Sequence, residues 1–228
     1  MTWVLDNLGL IGSLTVIHLR QSVIAIVAGL ILSLPLGWIA WRIRPLRAVL
    51  LTSAGLLYTI PSLALLLILP IVFGFSATSE INLVIALTIY AIAIIVPAVA
   101  NGLSSVDSAT RRAAIAVGYG ELRRFFAVDL PLAGPVILSG LRVAAVSTIS
   151  LATVGILAGV TNLGYLFTNG LQRRIIAEVL IGVVVVALLA LIIDRLLFLT
   201  GRMMMPWTRS TTAITKPRAR PATAGAAS

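Results

Sequence analysis

The chain reads as an all-α membrane protein with about five transmembrane helices, and three observations lead there. Of its 228 residues, 60% are hydrophobic and only 11% are charged, against roughly a quarter charged in an ordinary soluble domain. The mean hydropathy is +1.11. The charges that exist are gathered into short blocks between long apolar runs, as hydrocarbon requires.

Residues 1–19 form a mixed, mildly amphipathic lead of the interfacial kind, with no basic start and with Asp6, so no cleavable signal is expected. Residues 21–41 carry no charge, and a run of this length spans a core of about 30 Å at 1.5 Å per residue. Arg42, Arg44 and Arg47 follow at once. The next charge-free run, up to Glu80, is too long for one straight crossing and contains Pro61 and Pro70. A single kinked helix over 48–73, broken at Thr59-Ile60-Pro61-Ser62, is expected, with two short re-entrant pieces as the alternative.

A third crossing is expected over 83–100. The fourth begins near Pro135 and continues past Gly159, with Arg142 close enough to its start to snorkel. Residues 161–176 form a polar link with Asn162, Asn169, Gln172, Arg173 and Arg174. The fifth crossing covers 177–199. The remainder, 201–228, is poor in apolar residues and rich in proline, threonine and alanine, the composition of a disordered tail.

The excess of basic residues gives a net charge of +10, but without aromatic interleaving it points to membrane orientation rather than to nucleic acid. Arg42, Arg44, Arg47, Arg111, Arg112, Arg123, Arg124, Arg195, Arg202, Arg209, Lys216, Arg218 and Arg220 fall on one side of a five-crossing chain, and only Arg20, Arg173 and Arg174 on the other. The positive-inside rule then puts the amino end outside and the 101–134 loop and the tail in the cytoplasm. The lead becomes extracytoplasmic and the protein multi-pass.

Between the third and fourth crossings lies RAAIAVGYGELRRFFAVDLP, residues 112–131. Its charged residues Arg112, Glu121, Arg123, Arg124 and Asp129, with Arg111 just before it, are expected to face water. Ala114, Val117, Leu122 and Phe125 or Phe126 recur at roughly helical spacing, and Arg112, Glu121 and Arg123 mark the opposite face. Gly118 and Gly120 each weaken a helix by about 1 kcal/mol relative to alanine, so a hinge is expected there. Pro131 is expected to close the second helical piece.

Ala113-Ala114, Gly118 four residues on, and Val128-Asp129-Leu130-Pro131 after nine more resemble the cytoplasmic "EAA" loop of permease subunits in bacterial ABC importers. Arg112 stands where that pattern has glutamate, a reversal of charge. The resemblance implies a coupling helix that docks on an ATPase subunit, with Arg112, Ala113, Ala114, Gly118, Glu121, Leu130 and Pro131 at the contact. TIPSLALLLILP from Thr59 and VGILAGVTNLGYLFTNGL from Val154 resemble permeases for glycine betaine, carnitine, choline and related osmoprotectants. The likeness covers most of 15–200. It implies half of a dimeric pore in the inner membrane, bound to lipid. It also implies a second permease, same or homologous, an extracytoplasmic binding protein, and an ATPase that holds ATP and magnesium. A same-architecture permease for methionine or another amino acid is one alternative; a membrane scaffold or sensor that transports nothing is the other.

The chain carries no chemistry of its own that would drive transport. It has no cysteine and a single histidine, His18, so no metal site is expected. Gly118-Tyr119-Gly120 lacks the strand-to-helix frame of a phosphate cradle, and there is no Walker lysine motif or paired catalytic carboxylates. The chain is therefore not expected to be an enzyme or to bind a cofactor directly. Pro61, Ser62 and Pro70 are candidate gate or pathway positions. Gly29, Gly37, Gly55, Gly155 and Gly159 are read as packing glycines. Arg142 and Glu178 are read as lying near an interface. Tyr58, Tyr90, Trp38 and Trp41 could cradle a quaternary ammonium, but the tryptophans sit at belt positions, and in the family such a cage resembles that of the binding protein. None of the four is assigned as a ligand.

Overall fold

The computed structural model describes residues 2–207, and these are all-helical, without strands. In chain order the helices are α1 (Thr2–Asp6), α2 (Leu8–Arg42), α3 (Arg44–Thr59), α4 (Ser62–Phe73), α5 (Glu80–Ser105), α6 (Ser108–Ala116), α7 (Glu121–Arg124), α8 (Leu130–Ala152), α9 (Gly164–Gln172) and α10 (Ile176–Met204). A π-turn over Phe125–Asp129 joins α7 to α8, and a 3₁₀ stretch over Thr153–Ala158 extends α8. Four helical runs are long and apolar enough to cross a membrane, and the α3–α4 pair brings the total to five if counted as one broken span.

Most of the lead does not stand apart from the first crossing, because Leu8 already begins α2, a helix of 35 residues. Its early hydroxyls are satisfied inside the helix: Ser13 Oγ donates to the Leu10 carbonyl at 2.8 Å and Thr15 Oγ1 to the Ile11 carbonyl at 2.7 Å. The polar link likewise contains a helix, α9. At the other end α10 runs on to Met204, so the first residues of the expected tail are helical; residues 208–228 lie outside the described residues.

The break expected near Pro61 is there, but it is no kink. α3 and α4 meet at 108°, which makes two helices of what was expected as one. Thr59 ends α3, Ile60 and Pro61 are extended, and Ser62 opens α4. Pro70, by contrast, sits inside α4 and interrupts nothing. A proline leaves the carbonyl four residues earlier without its helical donor, and here that carbonyl, Leu66, accepts from Asn82 Nδ2 at 2.9 Å. Asn82 is buried and also donates to Ala77 O at 2.9 Å, so it pins α4 to the start of α5. Replacing Asn82 with leucine is expected to cost about 1–3 kcal/mol, since it leaves the buried Leu66 carbonyl without a donor. Unfolding in mixed micelles of increasing denaturing detergent measures it.

α5 is the central post, packed by α2 on one side and α8 on the other. Ala91, Ile95, Val99 and Leu103 of α5 form one core with Ile26 of α2 and Ala133, Ile137, Leu141, Ala144 and Ala145 of α8. Small residues permit the approach: a Cβ on Gly29 would lie 2.6 Å from Ala91 Cβ, and one on Gly37 2.5 Å from Val99 Cβ. Gly155 is equally hemmed in by Leu83. Gly55 packs against none of the described residues of its own chain, since nothing lies within 4 Å of its absent side chain. Gly159 has φ +87° and ends the 3₁₀ stretch, so it serves conformation as well as contact.

Two charged residues take unexpected positions. Arg142 does not snorkel; it is met by Asp194 of α10, which accepts from both Nε and Nη2 at 2.7 Å, while its guanidinium also lies 5.2 Å from the Phe198 ring centroid. Pairing replaces escape to water because Arg142 stands well inside α8, opposite a carboxylate. Glu178 is fully buried in the first turn of α10, where Asn169 Nδ2 donates to Oε1 at 2.6 Å. His18 is also buried, its Nε2 donating to the Ile149 carbonyl at 2.9 Å. Among the described residues no group of three or more His, Cys, Asp or Glu side chains is placed to hold a metal ion.

Candidate functional site

One end of the bundle gathers the arginines. Arg42 ends α2, Arg47 lies in the first turns of α3 and donates to Ser104 Oγ at 2.9 Å and Asn101 Oδ1 at 3.0 Å near the end of α5, and the 106–129 segment projects from the same end. Asp107 caps α6, its side chain accepting from Ala109 N at 3.1 Å. Arg112 faces out and donates to Ser108 Oγ at 3.1 Å within its own helix.

The glycine hinge has a specific form. The Gly118 amide donates to Ile115 O at 2.9 Å and the Tyr119 amide to Ala114 O at 3.0 Å, while Val117 N donates to Ala113 O at 3.1 Å. With Gly118 at φ +90°, this is a Schellman termination, which needs a residue free to turn left-handed. The space around Gly118 is open, so backbone conformation alone sets the requirement there. Gly120 then caps α7, whose first residue, Glu121, accepts from Arg42 Nη2 at 2.6 Å. Arg123 lies over the Tyr119 ring, 4.6 Å from its centroid.

Pro131 does not close the helix. Leu130 and Pro131 are the first two positions of α8, and the π-turn leads into them, with Leu130 N donating to Phe125 O five residues back. Proline is tolerated in a first turn, where its missing N–H costs little. The helical run from Glu121 to Ala158 is thereby unbroken over 38 residues.

Asp129 is the residue that sequence reasoning misplaced. Expected to face water, it is fully buried, because two guanidiniums enclose it: Arg111 Nε at 2.7 Å and Arg124 Nε at 3.2 Å. Arg111 also donates to the Leu103 carbonyl at the end of α5 and lies 4.7 Å from the Trp41 ring centroid. One carboxylate thus ties α6, α7 and α8 to α2 and α5. The only available signal was an acid flanked by arginines at 111 and 124, and the sequence does not say that all three meet.

What remains outward on this knob is apolar as well as charged. Ile115 is 53%, Val117 78% and Leu122 76% exposed, beside Arg112 and Arg123. Apolar side chains left exposed among charged ones on a projecting segment mark a contact surface. Ala113 and Gly118 share this exposed surface, Ala114 is half-buried, and Leu130 and Pro131 lie at the base, so the structure brings Arg112, Ala113, Ala114, Gly118 and Glu121 together on the knob.

A second feature lies at the α3–α4 break. Pro61 and Ser62 adjoin a cavity of about 490 Å³ lined by Tyr58, Ile60, Ser62, Tyr90, Val146, Ser147, Ser150 and Leu151. Pro70 is not among its walls. Tyr90 Oη donates to the Ile60 carbonyl, which the end of α3 leaves free.

Residues 25–206 match the family described as the inner membrane component of binding-protein-dependent transport systems. The chain is 32% identical to the osmoprotectant import permease protein OsmW of Salmonella typhimurium, over 86% of this chain and 92% of that protein. It is 30% identical to the glycine betaine/carnitine/choline transport system permease protein OpuCD of Bacillus subtilis, over 83% and 82%. Its fold is shared with a chain of the MetNI methionine ABC transporter in inward-facing conformations, with a TM-score of 0.71 at 19% identity over 89% of this chain and 97% of that one. The all-helical fold with its four or five candidate crossings, the exposed loop with its glycine hinge and these matches agree: the chain belongs to the inner-membrane, multi-pass components of binding-protein-dependent transport systems.

Proposed function

We propose that this chain is the permease subunit of an ATP-driven importer for osmoprotectants such as glycine betaine, carnitine or choline, and that it receives the work of ATP hydrolysis through the α6–Gly118–α7 knob. The observation that carries this reading is the cluster of Ile115, Val117 and Leu122 left exposed around a Schellman glycine at the arginine-rich end. The knob is held to the bundle by Asp129 and open on its outer side, as a docking element requires. The partner it fits is an ATPase subunit, which supplies ATP and magnesium. A second permease completes the pore, and an extracytoplasmic binding protein delivers solute. The solute class is supported by the names of the relatives. The grouping of Arg42, Arg44, Arg47, Arg111, Arg112, Arg123 and Arg124 at one end supports an outside amino end and a cytoplasmic carboxyl end.

Replacing Gly118 with tryptophan tests the docking role. A side chain at φ +90° destroys the helix termination and adds bulk on the contact face. Uptake and ATPase stimulation by loaded binding protein, measured in proteoliposomes of the full complex, are expected to fall by about tenfold or more, the effect of about 1–2 kcal/mol or more at the contact. Unchanged values of both would remove the knob from the mechanism.

A further inference from the structure

The cavity at the α3–α4 break lies beside the middle of α5, where Tyr90 is the eleventh residue of a 26-residue helix, and beside the last turns of α8. Between two helical runs long and apolar enough to cross a membrane, its chemistry is unusual. Ser62, Ser147 and Ser150 put three hydroxyls on the walls, and Thr52, Ser53 and Thr59 continue the exposed polar surface along α3, on which Ala54 alone is buried. Hydroxyl-rich faces at this depth belong against water or solute rather than lipid. No ionisable carboxylate, ammonium or guanidinium lines the cavity.

The two tyrosines form a corner. Their ring centroids are 6.2 Å apart and the planes stand at 82°, with Tyr90 buried at 3% exposure and Tyr58 open at 50%. Tyr90 is held by its bond to Ile60 O, so a fixed wall meets an accessible one. Aromatic faces attract an onium head without demanding a counter-charge, and serine hydroxyls donate to a carboxylate. A site with no fixed charge favours a ligand whose own charges cancel, because a net charge would be desolvated without compensation.

We propose that Tyr58, Tyr90, Ser62, Ser147 and Ser150 form a transit site at mid-membrane for a compact zwitterion, the onium head against the tyrosine corner and the carboxylate on the serines. This rests on the importer reading above and adds the residues that the solute meets inside the membrane. The 108° bend at Pro61 brings Tyr58 and Ile60 from the end of α3 and Ser62 from the start of α4 onto the wall of one cavity.

The test uses the full complex in proteoliposomes, with labelled glycine betaine as the zwitterionic probe and choline as the net cation of the same head. The quantity read is solute moved per ATP hydrolysed. Tyr58→Leu is expected to lower it about tenfold for both probes, with Tyr58→Phe closer to the unmodified protein. The pair Ser147→Ala with Ser150→Ala is expected to lower it about fivefold for glycine betaine and less for choline, which has no carboxylate to lose. A complex with stimulated hydrolysis in which these variants move both probes at the unmodified ratio overturns the transit site and leaves the importer reading standing. If the unmodified complex shows neither stimulated hydrolysis nor uptake of either probe, the importer reading falls and the site with it.

Discussion

Replacing Asp129 with alanine is expected to destabilise the protein by about 3–5 kcal/mol, the usual cost of removing one partner from a buried ion pair. The carboxylate is fully buried and two guanidiniums depend on it, with side chains only 18% and 12% exposed. Without it, Arg111 and Arg124 face each other with no anion between them. Arg111 would still hold the Leu103 carbonyl and the Trp41 face, so α6 stays tethered, but α7 and the π-turn lose their anchor. Asp129→Asn keeps an acceptor oxygen for one guanidinium and should fall between. Unfolding in mixed micelles gives the stability, and protease sensitivity around residues 117–124 gives the loosening. Alanine at 129 with an unaltered unfolding midpoint would mean that the carboxylate does not hold the knob.

The Arg142–Asp194 pair yields the second large effect. Arg142→Leu and Asp194→Leu are each expected to cost about 1.5–3 kcal/mol, because each leaves a half-buried charge between α8 and α10 without its bidentate partner. The double variant should recover most of that loss, since two leucines in apolar surroundings leave nothing unpaired. A double-mutant cycle on unfolding free energies measures the coupling. Two single losses that simply add would show that the bidentate pair is not what joins these helices.

The sequence made the crossings legible because hydrocarbon imposes one rule on every long apolar run, and the glycine hinge because Gly118 needs a backbone conformation that few residues adopt. It did not show where charged groups would find each other. Asp129 looked like a water-facing acid, and its burial depends on Arg111 arriving from eighteen residues earlier. Arg142 looked able to reach an interface; its partner lies fifty-two residues on, a distance that no local pattern reports. Pro131 misled in another way: a proline is as much at home in the first turn of a helix as past its end, and the wider turn over Phe125–Asp129 leads the chain straight into the helix that Leu130 and Pro131 open. Tyr58 and Tyr90 are not assigned as ligands in the sequence, because the resemblance places an aromatic cage on the binding protein; that their rings meet at 82° across thirty-two residues is visible only in the fold.

The uninterrupted run from Glu121 to Ala158 is, mechanically, a lever. At 1.5 Å per residue its 38 residues measure about 57 Å, enough to begin in one aqueous compartment and end at the threshold of the other. Tilting such a rod by about 5° about its midpoint swings each tip by about 2.5 Å in opposite directions. A push at the Glu121 tip is therefore felt at the opposite end as a countermovement, with no chain of intermediate contacts to pass it along.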